Sequence, residues 1–262
     1  MYLIKKHDKY FFRFAALDRL PGVVHAFSSR LGGTSRTPYE SLNLSSGAGD
    51  MATAVHANRD RFYGLTGGRH VYARQCHGTA VGVVDRQVLD DESPIRTHEP
   101  AVDALITNVP GVFLVIQTAD CQAVMVVDPW RKVVANIHCG WRGSVAGIIG
   151  ATIARMVDDF GCRPSGMTAV IGPSLGPCCA EFVNYHQEIP RKWWPFRIGR
   201  HHFDFWAINR QQLVSAGLTS GRIFFGNLCT RCNTHLLYSY RSERVTGRMG
   251  ALIGIQRSNH MG

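Results

Sequence analysis

Cys121 and His138 are the residues whose types and spacing most directly suggest chemistry. The stretch 117–138 reads as strand, turn, strand, with Pro129 in the turn, and so predicts a hairpin. With residues 128–131 as a four-residue turn, Cys121 falls directly opposite His138. Opposed residues share a face, with Cβ atoms about 4.5 to 5.5 Å apart. That separation suits two ligands of one zinc or copper ion, or a thiolate nucleophile beside its imidazole base. His77, in Gln75-Cys76-His77-Gly78, borders the strand predicted at 80–84 and is the third candidate ligand. The three positions match no compact zinc signature, and buried cysteines and satisfied histidines are common, so spacing alone leaves the metal site open.

Two neighbouring features extend the pattern. After His138 the chain runs Cys139-Gly140-Trp141-Arg142-Gly143-Ser144 into a predicted helix, which places a guanidinium and helix-start amides beside the hairpin. This is an anion site in outline, or else a glycine-rich turn with Ser144 as an ordinary cap. Cys178-Cys179 and Cys229-Thr230-Arg231-Cys232 invite zinc or redox readings. Adjacent cysteines make a poor half of a zinc site, because ligand pairs ordinarily have at least two intervening residues. The four are therefore expected to be buried thiols.

The elements that must position these groups are legible from periodicity. Short runs rich in Val, Ile and Phe at 23–27, 80–84, 104–106, 112–117, 123–127, 133–137, 168–171, 223–226 and 250–255 predict strands. Helical spacing appears at 54–63, at 145–160 behind Ser144, and at 206–216, while 90–100 reads as one exposed loop. The expected class is mixed α+β, a single domain over residues 1–262 with mixed sheets flanked by helices. The chain has 262 residues, 45% hydrophobic and 18% charged, which excludes disorder and fibrous repeats. Its apolar runs stop short of a membrane span, and the charged N-terminal residues do not form a leader, so a cytoplasmic chain with eight reduced cysteines is expected. The net charge of +10 admits anionic partners, but the basic residues are scattered. Arg231, Arg241, Arg244, Arg248 and Arg257 read as a solvated face, and nucleic acid is disfavoured as a partner.

In order along the chain, Phe27-Ser28-Ser29-Arg30-Leu31-Gly32-Gly33, Ser41-Leu42-Asn43-Leu44, Gln75-Cys76-His77-Gly78, Ala119-Asp120-Cys121, His138-Cys139-Gly140-Trp141-Arg142-Gly143, the stretch 172–179 and Cys229 to Asn233 resemble the laccase-domain family. Members of that family are also called polyphenol oxidases or purine nucleoside phosphorylases. The resemblance implies a mixed-sheet, cysteine-hydrolase-like fold and a zinc or copper ion held by His77, Cys121 and His138. It also implies phosphorolysis of adenosine, inosine and methylthioadenosine, with adenosine deamination; one bacterial member is linked to peptidoglycan editing. The sequence departs from the family pattern at Cys76, Cys139 and Gln122-Ala123. Cys139 is expected to point away from the face of His138.

For deamination, three protein ligands leave a fourth position at which water is activated, with Asp120 as the nearest carboxylate to move a proton. Asp120 can equally fix a loop. For phosphorolysis, Arg30, Asn43 and Arg142 are the candidates to hold a nucleoside and phosphate. A monomer is expected. The rival enzyme reading is an amidase-like cysteine hydrolase acting on peptidoglycan precursors through Cys121 and His138. The non-enzyme reading is a basic nucleic-acid-binding module. A true multicopper laccase is disfavoured, because that chemistry needs many paired histidines and only His201-His202 stand together.

Overall fold

The computed structural model describes residues 1–6, 8–90 and 92–257. Among these residues thirteen strands form two mixed sheets. The first has the order β1 (Tyr2–Lys6), β2 (Lys9–Arg13), β3 (Val23–Ser28), β15 (Met249–Ile255), β8 (Val112–Thr118), β4 (Arg69–Tyr72), β6 (Ile95–Thr97). The second has the order β14 (Ile223–Phe225), β11 (Thr168–Ile171), β9 (Gln122–Asp128), β10 (Val133–Cys139), β7 (Ala104–Thr107), β5 (Val81–Val83). β12 (Arg197–Ile198) pairs with β13 (His202–Phe203) apart from both. The helices are α1 (Ala15–Asp18), α2 (Ala52–Tyr63), α3 (Trp141–Ala146), α4 (Ile148–Phe160), α5 (Tyr185–Glu188), α6 (Phe205–Ser215) and α7 (Tyr240–Glu243).

β8, β9 and β10 are nearly continuous apolar runs because both faces of each sheet are covered. Phe27, Leu114, Ile116, Ala251 and Ile253 of the first sheet pack against Leu105, Met125, Val127, Val134 and Val170 of the second. The outer face of the second sheet, through Val124, Val126, Ala135 and Ile137, buries Ile149, Ile153 and Met156 of α4 and Leu213 of α6. The outer face of the first sheet, through Phe113, Val115 and Leu252, is covered by Phe62 of α2 and by Leu44. The layers are thus helix, sheet, sheet, helix. One polar side chain bridges the inner layers: fully buried Asn136 donates from Nδ2 to the Leu114 and Ala251 carbonyls at 3.0 and 2.8 Å.

Three expectations change. The helix expected at 145–160 is two helices, α3 and α4, broken at Gly147, whose φ of 94° glycine adopts without Cβ strain. Ser144 therefore lies inside α3, buried and capping nothing. The loop expected at 90–100 contains β6, whose three residues are too few to show alternation. The hairpin turn is two residues longer than expected. Asp128 pairs with Val133, Asp128 Oδ1 accepts from the Trp130 and Arg131 amides, and Lys132 takes a left-handed φ of 53°. His138 consequently opposes Ala123, and Cys121 falls just outside the ladder, on the link that precedes Gln122. Cys121 therefore meets His138 from the end of that link and not across the ladder.

Two buried histidines set an acid limit on stability. Burial lowers His25 to about 4, where its Nε2 accepts from the Phe14 amide at 2.8 Å, and lowers His70 to about 3. Both are neutral in the fold, whereas the unfolded chain protonates them below about 6.5. Their contribution is complete above that pH and is lost as pH falls towards 4 and 3, with about 2 kcal/mol gone from each at pH 5. Denaturant unfolding at pH 7 and pH 5 should show this loss, and His25→Gln, which keeps an acceptor for Phe14, should flatten the slope. Equal slopes in wild type and variant would refute the assignment.

Candidate metal centre in an arginine-lined cavity

The site forms where the chain crosses between the sheets. β8 ends in the first sheet at Thr118 and β9 begins in the second at Gln122, so Cys121 sits on the link. His138 is the penultimate residue of β10, buried, with Cys139 turned to the opposite face among the apolar residues under α4. His77 lies on the loop between β4 and β5 with φ of 62°. Two side chains hold that loop. Gln75 exchanges two hydrogen bonds with the backbone of Gln117, and Asp103 accepts from the amides of Cys76, His77 and Gly78 at 3.2, 2.9 and 2.7 Å.

Asp103 also organises the second ligand. It stands one step beyond the Ile137–Ala104 pair of β10 and β7, and its Oδ1 accepts from His138 Nδ1 at 2.7 Å. This fixes the Nδ1 proton and leaves Nε2 as the ring's donor atom towards Cys121. Burial would raise the Asp103 carboxyl, but the His138 bond and the amide donors outweigh it and hold the group well below the usual carboxylate range. Burial likewise opposes ionisation of Cys121, yet the charge of His138 and hydrogen bonds from both histidines bring the thiol down to about 6. The same pair raises His138 to about 9 against its own burial, through the Cys121 charge and the Asp103 bond. Both shifts favour the thiolate–imidazolium form of the Cys121–His138 pair.

The ligand atoms of His77, Cys121 and His138 all lie within 4.8 Å of one another, with Cys121 Sγ 4.0 Å from His77 Nε2. Tetrahedral zinc, with bonds of about 2.0 Å to nitrogen and 2.3 Å to sulfur, sets that separation near about 3.5 Å, a small contraction from what is seen. Room for an ion is built into the backbone. A Cβ on Gly140 would lie 2.7 Å from His77 Cδ2, 3.3 Å from Cys121 Sγ and 3.5 Å from His138 Cε1. Two imidazoles, one thiolate, an anchored histidine and this clearance fit zinc or copper.

The centre opens into a cavity of about 780 Å³. Trp141, Phe182, Phe205 and Tyr240 line it together with Arg59, Arg74, Arg142, Arg241, Arg244 and Arg248. Arg74 pairs with Glu99, whereas among the described residues Arg59, Arg142, Arg244 and Arg248 have no carboxylate partner. Arg142 lies 4.5 Å over the Trp141 ring. The three C-terminal arginines expected on a solvated face, Arg241, Arg244 and Arg248, instead face this cavity, because α7 and the segment leading to β15 fold over it.

The model that matches residues 24–256 describes a multi-copper polyphenol oxidoreductase laccase family. The chain belongs to that family. It is 32% identical over 247 residues to the purine nucleoside phosphorylase YlmD of Geobacillus stearothermophilus, covering 89% of this chain and 90% of that protein. It is 35% identical over 248 residues to a purine nucleoside phosphorylase of Deinococcus radiodurans, covering 90% of each. The crystal structure of YlmD from Geobacillus stearothermophilus shares the fold with a TM-score of 0.84 at 29% identity, over 97% of this chain and 99% of that one. That relative thus shares the mixed α+β architecture.

The remaining candidates divide. Arg142 lines the cavity. Asp120, with φ of 89°, also borders it, but its carboxylate accepts from Thr230 Oγ1, Ser239 Oγ and the Arg241 amide at 2.6 to 2.7 Å. It holds the C-terminal segment against the centre. Arg30 and Asn43, expected to hold nucleoside and phosphate, do not line the cavity. Arg30 donates to the carbonyls of Glu40 and Thr234 and to Glu243, while Asn43 is fully buried and holds Asp50 and the Arg248 amide. Asp103 was not among the candidates. A single acid directly before the apolar run 104–107 was the available signal, since a charge in that position must be buried with partners.

Proposed function

We propose that this chain is a metal-dependent purine nucleoside phosphorylase, using zinc or copper at His77, Cys121 and His138 and acting as a monomeric catalytic domain over its whole length. The single observation that carries the proposal is a cavity combining uncompensated arginines with aromatic rings directly above the candidate metal centre. Arginines bind phosphate through paired, charge-assisted hydrogen bonds, and aromatic rings offer faces to a purine. Adenosine, inosine and methylthioadenosine are the substrates proposed, with adenosine deamination as an accompanying reaction. The eight unpaired cysteines support work in the reducing cytoplasm.

A zinc or copper ion held by His77, Cys121 and His138 would supply Lewis acidity. The protein's own groups do the rest. Arg142 and Arg244 hold hydrogen phosphate against C1′ of the ribose; as the C1′–N9 bond breaks a C1′–O bond to phosphate forms, and the proton of hydrogen phosphate leaves with the purine. Trp141, Phe182 and Tyr240 enclose the base and exclude water from C1′, which favours transfer to phosphate over hydrolysis. Asp103 keeps His138 and the 76–78 loop in place. Phosphate-dependent adenine release from adenosine tests the proposal. Arg142→Gln and Arg244→Gln should each raise the phosphate KM by about tenfold, the scale of one charged hydrogen bond, with a smaller change for adenosine. Unchanged phosphate KM in both variants would remove the arginines from the site.

A second reading, a cysteine hydrolase acting on amide or peptidoglycan-precursor substrates, is favoured by one observation: Cys121, His138 and Asp103 form a nucleophile, base and orienting acid in series. His77 separates the two. His77→Ala should abolish turnover under the metal-dependent reading and largely spare hydrolysis under the second.

A further inference from the structure

A second cluster lies outside the centre just described. Cys178, Cys179, Cys229 and Cys232 bring their four sulfurs within 4.8 Å of one another, although about fifty residues separate the two pairs. Cys232 Sγ is 3.7 Å from that of Cys178 and 3.6 Å from that of Cys179. A tetrahedral ion with four sulfur bonds of about 2.3 Å spaces its ligands about 3.8 Å apart, whereas a disulfide needs about 2.05 Å. All four cysteines are free. Iron–sulfur clusters, with several irons between the cysteines, spread their ligands further than this group allows. We propose that Cys178, Cys179, Cys229 and Cys232 bind one structural zinc ion through four thiolates, independently of the His77, Cys121 and His138 centre.

The backbone is arranged for that ion. The Ser174–Cys229 bridge, with hydrogen bonds from Ser174 N to Leu228 O and from Thr230 N to Ser174 O, lays the two cysteine segments side by side. The amides of Cys179 and Ala180 both bond to the Gly176 carbonyl, and this tight turn brings two adjacent cysteines to a common point without a spacer. The fit is close at Gly176, where a Cβ would lie 3.0 Å from Cys229 Cβ and press on it. The amides of Gly176, at 3.3 Å, and of Cys232 both donate to Cys229 Sγ, the outer hydrogen bonding that suits a metal-bound thiolate. With four protein ligands no position remains for substrate, so the ion is a clamp. It fastens two walls of the cavity. Leu175 and Ala180 flank the first pair, and Thr230, inside the second, holds Asp120 next to Cys121.

Metal analysis of the full chain, wild type and His77→Ala/Cys121→Ala, tests this separately from the catalytic reading. The wild type should carry two metal ions per chain and the double variant one. Cobalt added to the metal-free double variant should give the intense visible and near-ultraviolet bands of a tetrahedral four-thiolate site, and Cys232→Ser in that background should remove them. A wild type with one ion and a double variant with none would overturn the proposal, as would an intact mass showing these cysteines paired as disulfides. Should the serine variant fail to fold, the wild type against the double variant still decides the matter. Absence of purine turnover would leave it standing, because its readout needs neither His77 nor Cys121.

Discussion

Gly140→Ala should release the ion from His77, Cys121 and His138 and cut kcat/KM by about a hundredfold or more, the scale of a misplacement of about one ångström among reacting groups. The backbone at Gly140, with φ of −66° and ψ of 157°, is ordinary for any residue, so alanine brings no conformational strain of its own. The effect is one of intrusion. The added methyl would stand 2.7 Å from the His77 ring and 3.3 Å from the Cys121 sulfur, and would push the imidazole out of the volume in which the three donors converge. Metal analysis, the phosphorolysis assay and a thermal melt together test this. The expected pattern is a melting temperature within a few degrees of wild type, one metal equivalent lost and little turnover. A variant that keeps its full metal content would show that the three side chains do not share an ion.

Asp103→Asn should also disable the centre, by a different route. The Asp103 carboxylate accepts from three consecutive amides, the Cys76 thiol and His138 Nδ1, and an asparagine would turn its own donors towards several of these. Metal affinity should fall about 10- to 100-fold, as it does when an anchoring carboxylate is removed from a ligand histidine. Here the fold suffers as well, since buried donors lose their acceptor, so the melting temperature should drop markedly, unlike that of Gly140→Ala. The metal-free protein offers a third readout. Ultraviolet absorbance of the Cys121 thiolate should titrate near about 6 in the wild type and move upward in the variant, because His138 without Asp103 holds its proton less firmly. A wild-type midpoint near the ordinary thiol value would sink the thiolate–imidazolium assignment.

How much of this was legible beforehand depended on the distance over which each signal acts. The Asp128-Pro129 turn and the apolar runs beside it announce β9 and β10, because hairpins are local. The register came out two residues off, since Lys132 enters the turn through a left-handed conformation that no local rule assigns to lysine. The longer turn leaves Cys121 outside the ladder, on the link before β9, from which its sulfur still meets the two histidines. His77 joined Cys121 and His138 through family resemblance and not through spacing, as its position depends on Gln75 and Asp103 gripping a loop from other strands. Arg241, Arg244 and Arg248 looked like a polar surface because their sequence neighbourhood is polar; only the closure of α7 over the sheet ends turns them inward. The four clustered cysteines were likewise invisible as a group, since the parallel pairing of β11 with β14 brings their segments together across the chain.

The crossing from β8 to β9 gives the centre a mechanical character. Cys121 rides on the three-residue bridge between the two sheets, while His138 belongs wholly to one of them, so any shear of one sheet over the other opens the gap between sulfur and imidazole. Asn136 lies two residues before His138 on β10 and ties that strand to β8 and β15 of the opposite sheet. It works as a dowel pin between the two layers. The alignment of the reactive groups is thereby made a property of the stacked sheets as a whole, and slackness anywhere along their interface is transmitted to the place where the ligands meet.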